Sequence, residues 1–226
     1  MSNAGFRIYT KVERPSKELV ESFRGVPVAN IADNMNRSFC VDARIRPMNK
    51  VQLVGTAFTV KSRTADNLMF HKAIDLAMPG DVILVDVQGD TVNSVTGELM
   101  VTWAEHRGIA GIVIDGAIRD IDAYEKMKIS VYAAGITPKG PYKDGPGEIN
   151  VPISIGGVVV RPGDIIVGDS DGIVVIDPKD APAILEKANA MLAREEVILK
   201  GIKEKGVWDR SWIDKVLKEK GCEFVD

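Results

Sequence analysis

An acidic residue and an Arg-Asp pair lie in one stretch of the sequence, at a spacing that suits a metal site beside an anion site. Glu98 is followed, after twenty intervening residues, by Arg119 and Asp120. Carboxylates and water are the ligands that Mg²⁺ and Mn²⁺ prefer, and Mg²⁺ often takes only one or two protein carboxylates. Asp120 is the predicted direct ligand. Arg119 offers a planar fork of donors for a carboxylate or a developing oxyanion.

The residues between them predict a helix, a turn and a strand that bring these groups together. The helix is expected to begin near Gly97 and to stop at Gly108, because glycine readily takes the left-handed conformation found after helix ends. Residues 111–115 form a short apolar run rich in β-branched residues, as in a strand covered on both faces. Arg119 and Asp120 then fall at the carboxyl end of that strand, where open α/β sheets bind ligands. The apolar face of the helix is predicted to comprise Leu99, Met100, Trp103 and Ala104.

Backbone N–H groups at the start of this helix extend the predicted site. Those around Gly97, Leu99 and Met100 are free at a helix amino terminus and can join Arg119 in binding an anion. A divalent metal beside an anion site suits a 2-oxo acid, so a small-molecule substrate of that class is expected. A surface ion pair or a helix cap is the competing interpretation of an Arg-Asp pair after a strand.

Other residues offer weaker chemistry. Lys61 would open a Schiff-base route to aldol cleavage, but it stands among polar residues at a predicted strand end and is expected to be solvated. The chain has two histidines, His71 and His106, too few for a histidine-rich zinc site. Oxygen ligation is therefore the favoured metal chemistry. His71 is a candidate ligand or base, with a structural or exposed role as the favoured interpretation.

Composition and charge limit the classes of protein to consider. The chain has 226 residues, 45% hydrophobic and 27% charged, which suits one well-buried domain with an appended helical tail. A net charge of −3 argues against nucleic acid as the partner. No apolar run reaches the roughly 18 residues of a membrane span, and residues 1–4 lack the apolar core of a signal peptide. Because Cys40 and Cys222 are far apart, a reduced cytoplasmic protein is expected.

The rest of the chain predicts mixed α and β structure. Residues 51–61 alternate apolar and small polar side chains, which predicts a half-buried strand. Residues 79–86 predict a turn and a strand, which Asp86 and residues 89–90 close before a short polar loop to Gly97. Residues 151–176 are β-rich with tight turns, which indicates antiparallel pairing besides parallel strands. A long helix is expected from Asp180 to Gly201.

Four segments occur in an order that is much more specific than any single motif. They are DNLMFHKA at 66–73, PGDVILVD at 79–86, RGIAGIVIDGAIRD at 107–120 and VPISIGGVVVRPGD at 151–164. With the spacing described above, they resemble the family that contains 4-hydroxy-4-methyl-2-oxoglutarate aldolase and the regulator of ribonuclease E activity A. The resemblance covers about residues 27–201. It implies a three-layer β/β/α domain of the swivelling type with mixed sheets, placed at residues 5–201, and a C-terminal helical extension over 202–226.

The resemblance also implies metal-dependent aldolase chemistry. In that family an acidic residue, twenty residues and then Arg-Asp mark catalytic competence; the acidic residue is usually aspartate, and Glu98 takes its position here. Mg²⁺ or Mn²⁺ would polarise the substrate, Arg119 would stabilise the pyruvate enolate left by carbon–carbon cleavage, and Glu98 would hold a metal-linked water as the base. Oxaloacetate decarboxylation gives the same enolate and is expected as a side activity.

A homo-oligomer is the expected assembly. Trp208 and Trp212 lie in a terminal amphipathic helix and need another surface to cover them. Members of the resembling family form trimers or hexamers whose active sites lie between subunits, and a glutamate of a neighbour's C-terminal helix completes some of these sites. Glu195 or Glu196 is the candidate here, with exposed helix surface as the competing interpretation.

Two other functions are considered. The regulator branch of the resembling family inhibits ribonuclease E by surface contact and has no need of Glu98, Arg119 and Asp120, so their presence favours the enzyme. Methyl transfer to a quinone precursor is the third interpretation. It is not supported, because no glycine-rich cofactor loop follows a predicted strand.

Overall fold

A mixed sheet of nine strands forms the centre of the protein in a computed structural model that describes residues 3–225. Met1 and Ser2 of the opening segment and Asp226 of the predicted extension lie outside the described residues. The strands are β1 (Phe6–Ile8), β2 (Arg46–Pro47), β3 (Leu53–Ser62), β4 (Asp81–Ser94), β5 (Gly111–Ile118), β6 (Ser130–Ile136), β7 (Gly147–Ile149), β8 (Ile153–Ile155), β9 (Val158–Val160), β10 (Ile165–Asp169) and β11 (Gly172–Ile176). The helices are α1 (Lys17–Glu21), α2 (Val28–Asp33), α3 (Leu68–Leu76), α4 (Glu98–His106), α5 (Ile121–Tyr124), α6 (Ala181–Lys205) and α7 (Trp212–Glu219).

Four parallel strands make the part of the sheet that bears on the candidate site. Strands β3, β4, β5 and β6 lie side by side in chain order, and a helix joins each one to the next. Every residue of β5 is buried, as expected for a parallel strand covered on both faces. Because the four strands run in the same direction, their carboxyl ends meet at one edge of the sheet.

The sheet branches at β3. Antiparallel β10 pairs with the first half of β3, and antiparallel β7 pairs with the second half. Strand β3 therefore has partners on both sides and is buried at nearly every position, so the prediction of a half-buried strand over residues 51–61 is wrong. Its small polar residues lie in the interior, where the Thr59 hydroxyl donates to the Val151 carbonyl at 2.6 Å and the Ser62 hydroxyl donates to the Asp66 carbonyl at 2.9 Å.

Three apolar clusters hold the layers together. Helices α3, α4 and α5 cover one face of the parallel strands, and the separate hairpin of β8 and β9 packs on the other face. Helices α1, α2 and α6 pack against β10 and β11. This mixed α/β arrangement, with parallel and antiparallel strands and C-terminal helices, confirms the predicted fold class.

Strand β4 and helix α6 are longer than the sequence predicted. Strand β4 runs on past Asp86 and Asp90 to Ser94 through two irregularities in its pairing with β5, so much of the polar loop expected before Gly97 is strand. Helix α6 continues past Gly201 to Lys205, and Gly206, with a φ of 63°, provides a left-handed cap. No helix within residues 3–225 is both long and apolar enough to span a membrane.

The predicted apolar face of α4 is partly wrong. Val101 and Ala104 are the buried residues of this helix, and Met100 packs beside them. Leu99 and Trp103 instead face outward and are 87% and 48% exposed. The apolar residues of this helix form two neighbouring faces, one with Leu99 and Trp103 and the other with Val101 and Ala104. The sheet covers only the second face. Periodicity alone does not decide which face is covered.

Candidate active site

Arg119 and Asp120 follow β5 directly, at the carboxyl edge of the parallel strands. Asp120 has a left-handed backbone with φ 61° and ψ 38°, which aspartate tolerates better than most residues. The Arg119 N–H donates to the Thr96 carbonyl at 3.1 Å, and the Tyr124 hydroxyl donates to the Arg119 carbonyl at 2.7 Å. This turn sets both charged side chains at the protein surface, each about half exposed.

Gly97 leaves the space that the Asp120 carboxylate occupies. Its φ of −158° and ψ of −171° are extended values that any residue can adopt. A Cβ at this position would overlap Asp120 Oδ2 and would lie 3.0 Å from Arg119 Cγ. The neighbouring Glu98 N–H donates to Asp120 Oδ2 at 3.0 Å, and Arg119 Nε lies 3.7 Å from the same oxygen. The absent side chain of Gly97 thus lets the start of α4 meet the end of β5.

A cleft of about 200 Å³ opens beside the Asp120 carboxylate. Five of the six predicted site residues line it: Gly97, Leu99, Met100, Arg119 and Asp120. The other walls are formed by Asn67, His71, Thr96, Pro141 and Lys143. The residues that the sequence placed around one anion and one metal therefore surround a single cavity, together with groups from α3 and from the segment before β7.

Glu98 contacts Asp120 through its amide, whereas its carboxylate was the expected functional group. The side chain is exposed and does not line the cleft of its own chain. Its charge still reaches the site. Burial is the main cause that raises the pKa of Tyr124, and the negative charges of Asp120 and Glu98 raise it further.

Sequence reasoning missed Asn67, Thr96 and Lys143 as site residues. The amide nitrogen of Asn67 donates to the Val95 carbonyl at 2.9 Å. Asn67 Oδ1 and Thr96 Oγ1 are buried with no hydrogen-bond partner among the described residues, so both atoms have hydrogen-bonding capacity to spare. Lys143 comes from a segment that carries no motif. Only the Asn67 position had a signal, since it stands in the first of the four family segments.

His71 lines the same cleft from α3 and adds an acceptor rather than a cation. Burial, and then the positive charge of Lys143, lower the pKa of His71, while the Asp75 charge opposes them. The imidazole is therefore neutral at pH 7. Arg119 and Lys143 remain the cations of the cleft, and they suit an anionic substrate.

The oxygen atoms of the cleft suit a hard cation that keeps most of its water ligands. They do not suit a cation that is surrounded by protein ligands. No cluster of three or more His, Cys, Asp or Glu residues within 3–225 could hold a metal ion. Asp120 lines the cleft, and its Oδ1 accepts no hydrogen bond from the described residues, whereas Oδ2 accepts from the Glu98 amide. Mg²⁺ and Mn²⁺ suit such a site, because Mg²⁺ keeps several waters and often takes a single protein carboxylate.

The remaining candidates lie away from the cleft. Glu195 accepts a hydrogen bond of 2.7 Å from the Asn30 side chain within the same chain, and Glu196 is exposed on α6. Neither lines the cleft of its own chain, so any part that they play would be in a neighbouring copy. Lys61 is exposed. Cys40 and Cys222 are both free and exposed.

Comparison with known proteins agrees with the resemblance seen in the sequence. Residues 28–175 match the RraA-like family model described as Aldolase/RraA. A protein of Halalkalibacterium halodurans, which carries the provisional name 4-hydroxy-4-methyl-2-oxoglutarate aldolase, is 38% identical over 201 residues, covering 88% of this chain and 96% of its own.

Two solved structures with similar folds carry inhibitor names. RraAS2 of Streptomyces coelicolor, described as an unusual member of the RNase ES inhibitor RraA protein family, has a TM-score of 0.73 and 26% identity, over 81% of this chain and 98% of its own. The RNA-processing inhibitor RraA from Thermus thermophilis has a TM-score of 0.62 and 26% identity, over 66% of this chain and 92% of its own. Similar proteins therefore carry both enzyme and inhibitor names.

Proposed function

The chain belongs to the RraA-like family, Aldolase/RraA, and from that membership we propose that it is a divalent-metal-dependent aldolase. It cleaves a 4-hydroxy-2-oxo acid, such as 4-hydroxy-4-methyl-2-oxoglutarate, to pyruvate and a second carbonyl compound. The observation that carries this proposal is the turn that sets Arg119 beside Asp120 in a cleft that also holds Lys143. A relative named for this activity supports it.

Asp120 is the residue that would hold the metal, Mg²⁺ or Mn²⁺, and Oδ1 is the oxygen left free for it. When bound, the metal supplies Lewis-acid polarisation of the substrate's 2-oxo group. The hydrogen bond from the Glu98 amide fixes the other carboxylate oxygen. Asp120 is thereby held in one orientation before any ligand arrives.

Arg119 stabilises the charge that develops during cleavage. The C4 hydroxyl loses its proton, the C3–C4 bond breaks, and its electron pair moves towards the 2-oxo oxygen; a proton then adds at C3 to give pyruvate. The guanidinium donates hydrogen bonds that strengthen as this charge grows. Backbone N–H groups around Leu99 and Met100, at the start of α4, orient the substrate carboxylate.

Glu98 is proposed to hold the water that takes the proton from the C4 hydroxyl. Its side chain is exposed and can turn towards the cleft. Oxaloacetate decarboxylation needs no such proton transfer, because carbon dioxide leaves from an ionised carboxylate and the electron pair moves to the same 2-oxo oxygen. The two reactions therefore separate the role of Glu98 from those of Arg119 and Asp120.

The experiment measures pyruvate release from 4-hydroxy-4-methyl-2-oxoglutarate and from oxaloacetate, with Mg²⁺ or Mn²⁺ and again with EDTA. The wild type is expected to turn over both substrates only with metal. In Asp120→Asn and in Arg119→Ala, the rate of pyruvate release is expected to fall at least about hundredfold with both substrates. In Glu98→Gln, the rate should fall by as much with 4-hydroxy-4-methyl-2-oxoglutarate and by much less with oxaloacetate. Activity lost in Glu98→Gln but kept in Asp120→Asn would contradict these roles.

The second candidate function is a protein-binding regulator that inhibits ribonuclease E, and the inhibitor names of the two similar structures favour it. Inhibition by surface contact does not need the Asp120 carboxylate. An Asp120→Asn variant that still inhibits ribonuclease E, in a protein inactive on both oxo acids, would establish this alternative.

We also propose that the protein assembles as a trimer or hexamer with the cleft close to a subunit boundary. Leu99 lines the cleft while most of its side chain is exposed, and Trp103 is exposed one helical turn further along α4. An apolar rim on a cleft that binds an anion is best explained by a neighbouring surface that covers it.

A further inference from the structure

We infer that Tyr124 is a positioning residue, whose hydroxyl holds the Arg119–Asp120 turn in the conformation that the proposed reaction requires. This inference rests on the proposed function. Tyr124 is fully buried and is not among the residues that line the cleft. It therefore acts through the backbone of Arg119 and does not touch the substrate.

The Arg119 backbone is held from both sides. Its N–H donates to the Thr96 carbonyl at 3.1 Å, and its carbonyl accepts the Tyr124 hydroxyl at 2.7 Å. The next residue, Asp120, adopts a left-handed backbone that a residue other than glycine keeps only when its surroundings enforce it. The peptide group between Arg119 and Asp120 orients both functional side chains. The Tyr124 hydroxyl is thus hydrogen-bonded to the peptide group that sets the positions of the Arg119 and Asp120 side chains.

Helix α5 is too short to impose this geometry alone. It has four residues, and a single turn of helix is not stable without tertiary contacts. The Tyr124 ring belongs to the apolar cluster under α3 and α4, so it ties α5 to the core. The hydroxyl at the end of the same side chain then ties the turn to that anchored ring.

Tyr124 keeps its proton at every pH where the protein would work. Burial raises the pKa of its hydroxyl, and the negative charge of Asp120 raises it further, although Arg119 opposes them. The hydroxyl consequently remains a donor to the Arg119 carbonyl. A positioning role through this bond should not change between about pH 6 and pH 9.

Tyr132 provides a matched control. It is also fully buried, and its hydroxyl donates to the Asp169 carbonyl, likewise at 2.7 Å. Its ring lies in the cluster on the other face of the sheet, and it does not line the cleft. Replacing either tyrosine by phenylalanine removes one buried hydroxyl–carbonyl bond and keeps the ring, but only Tyr124→Phe alters the Arg119 backbone.

The experiment compares Tyr124→Phe and Tyr132→Phe with the wild type. Both variants are expected to lower the Tm by about 2–4 °C. Tyr124→Phe should lower kcat on both oxo acids by at least about tenfold while changing KM less, because Arg119 acts mainly on the developing charge. It should also weaken Mn²⁺ binding, measured by calorimetry without substrate. Tyr132→Phe should keep both quantities within about twofold of the wild type.

Three results would overturn the inference. One is an equal loss of kcat and of Mn²⁺ affinity in the two variants, which would leave only a general effect on stability. Another is a kcat ratio of Tyr124→Phe to wild type that changes between pH 6 and pH 9, since the hydroxyl would then act as an acid or base. The third is a Tyr124→Phe variant that keeps the wild-type kcat and Mn²⁺ affinity. A wild type that binds Mn²⁺ but turns over neither oxo acid would instead overturn the proposed function, and Mn²⁺ affinity would still decide the role of Tyr124.

Discussion

The Asp120 carboxylate occupies the volume where the side chain of residue 97 would otherwise lie. Gly97 has an extended backbone, so the requirement for glycine here is one of space and not of φ. Arg119 lies close to the same position, with its Nε 3.1 Å from where a Cβ would stand. One methyl group at residue 97 would therefore displace the two side chains that the proposed chemistry depends on.

Gly97→Ala is expected to abolish most of the activity with little loss of stability. The added methyl group should push the Asp120 carboxylate out of its hydrogen bond with the Glu98 amide, and misplacement of this size lowers kcat by about hundredfold. Because both displaced side chains are half exposed and can move, the Tm should fall by no more than about 4 °C. Steady-state kinetics on oxaloacetate and differential scanning calorimetry measure the two effects.

Gly201→Ala is the control for this substitution. Gly201 lies within α6, where a Cβ would be 3.3 Å from the Val207 carbonyl and far from the cleft residues. It should keep full activity. If Gly97→Ala also kept wild-type kcat and metal dependence, the packing of Asp120 against residue 97 would have no part in catalysis.

At the scale of elements, the end of β5 and the start of α4 form one unit. Strand β4 continues to Ser94 through irregular pairing, which brings the Thr96 carbonyl to the Arg119 amide. The Asp120 side chain then bonds to the first residue of α4. In this unit Asp120, which has a left-handed backbone, lies where the strand and the helix meet. The backbone strain at Asp120 can be measured separately from the role of its carboxylate.

Asp120→Gly is expected to be more stable than Asp120→Ala, the reverse of the usual order. Both variants lack the carboxylate and should be equally inactive. Alanine at a φ of 61° is strained, whereas glycine is not, and the difference in unfolding free energy should be about 1 kcal/mol in favour of glycine. Urea unfolding measures it. Equal stabilities, or a more stable alanine variant, would show that the turn relaxes out of the left-handed region.

At the scale of the whole molecule, much apolar surface is left without cover. Helix α7 has no buried residue, and all three tryptophans, Trp103, Trp208 and Trp212, are between 48% and 58% exposed. Trp208 precedes α7, so the prediction that it lies in the terminal helix is wrong. Exposed aromatic side chains near a terminal helix and beside a cleft are typical of surfaces that meet another chain. The expected partner is a second copy, in keeping with the proposed oligomer.

Assembly should therefore shield the tryptophans, and replacing two of them should weaken it. The wild type is expected to have the mass of a trimer or hexamer by light scattering, with weak quenching of tryptophan fluorescence by acrylamide. A Trp208→Ala, Trp212→Ala double variant should shift towards smaller species while keeping its far-UV circular dichroism, since both side chains are more than half exposed in a single chain. A monomeric wild type with fully quenched tryptophans would contradict this expectation.

The sequence by itself determined the local elements of the site. The apolar run before Gly116, the turn glycines and the spacing of Glu98, Arg119 and Asp120 predicted a helix, a strand and an Arg-Asp pair at its carboxyl end. Those features depend on residues a few positions apart, so periodicity and turn chemistry reveal them. The fold class and the family followed from the same local patterns taken in order.

The tertiary structure alone decided which groups share the cleft. Asn67 and Lys143 meet Asp120 there although they are distant in sequence. Packing against the sheet left Leu99 exposed, although periodicity had predicted it to be in the core. The Glu98 carboxylate was the predicted functional group, but it is the Glu98 backbone amide that bonds to Asp120. The hydroxyl of Tyr124 reaches the Arg119 carbonyl only because its ring is buried in the core. These outcomes depend on how segments that are distant in sequence pack together, and local sequence patterns do not predict that packing.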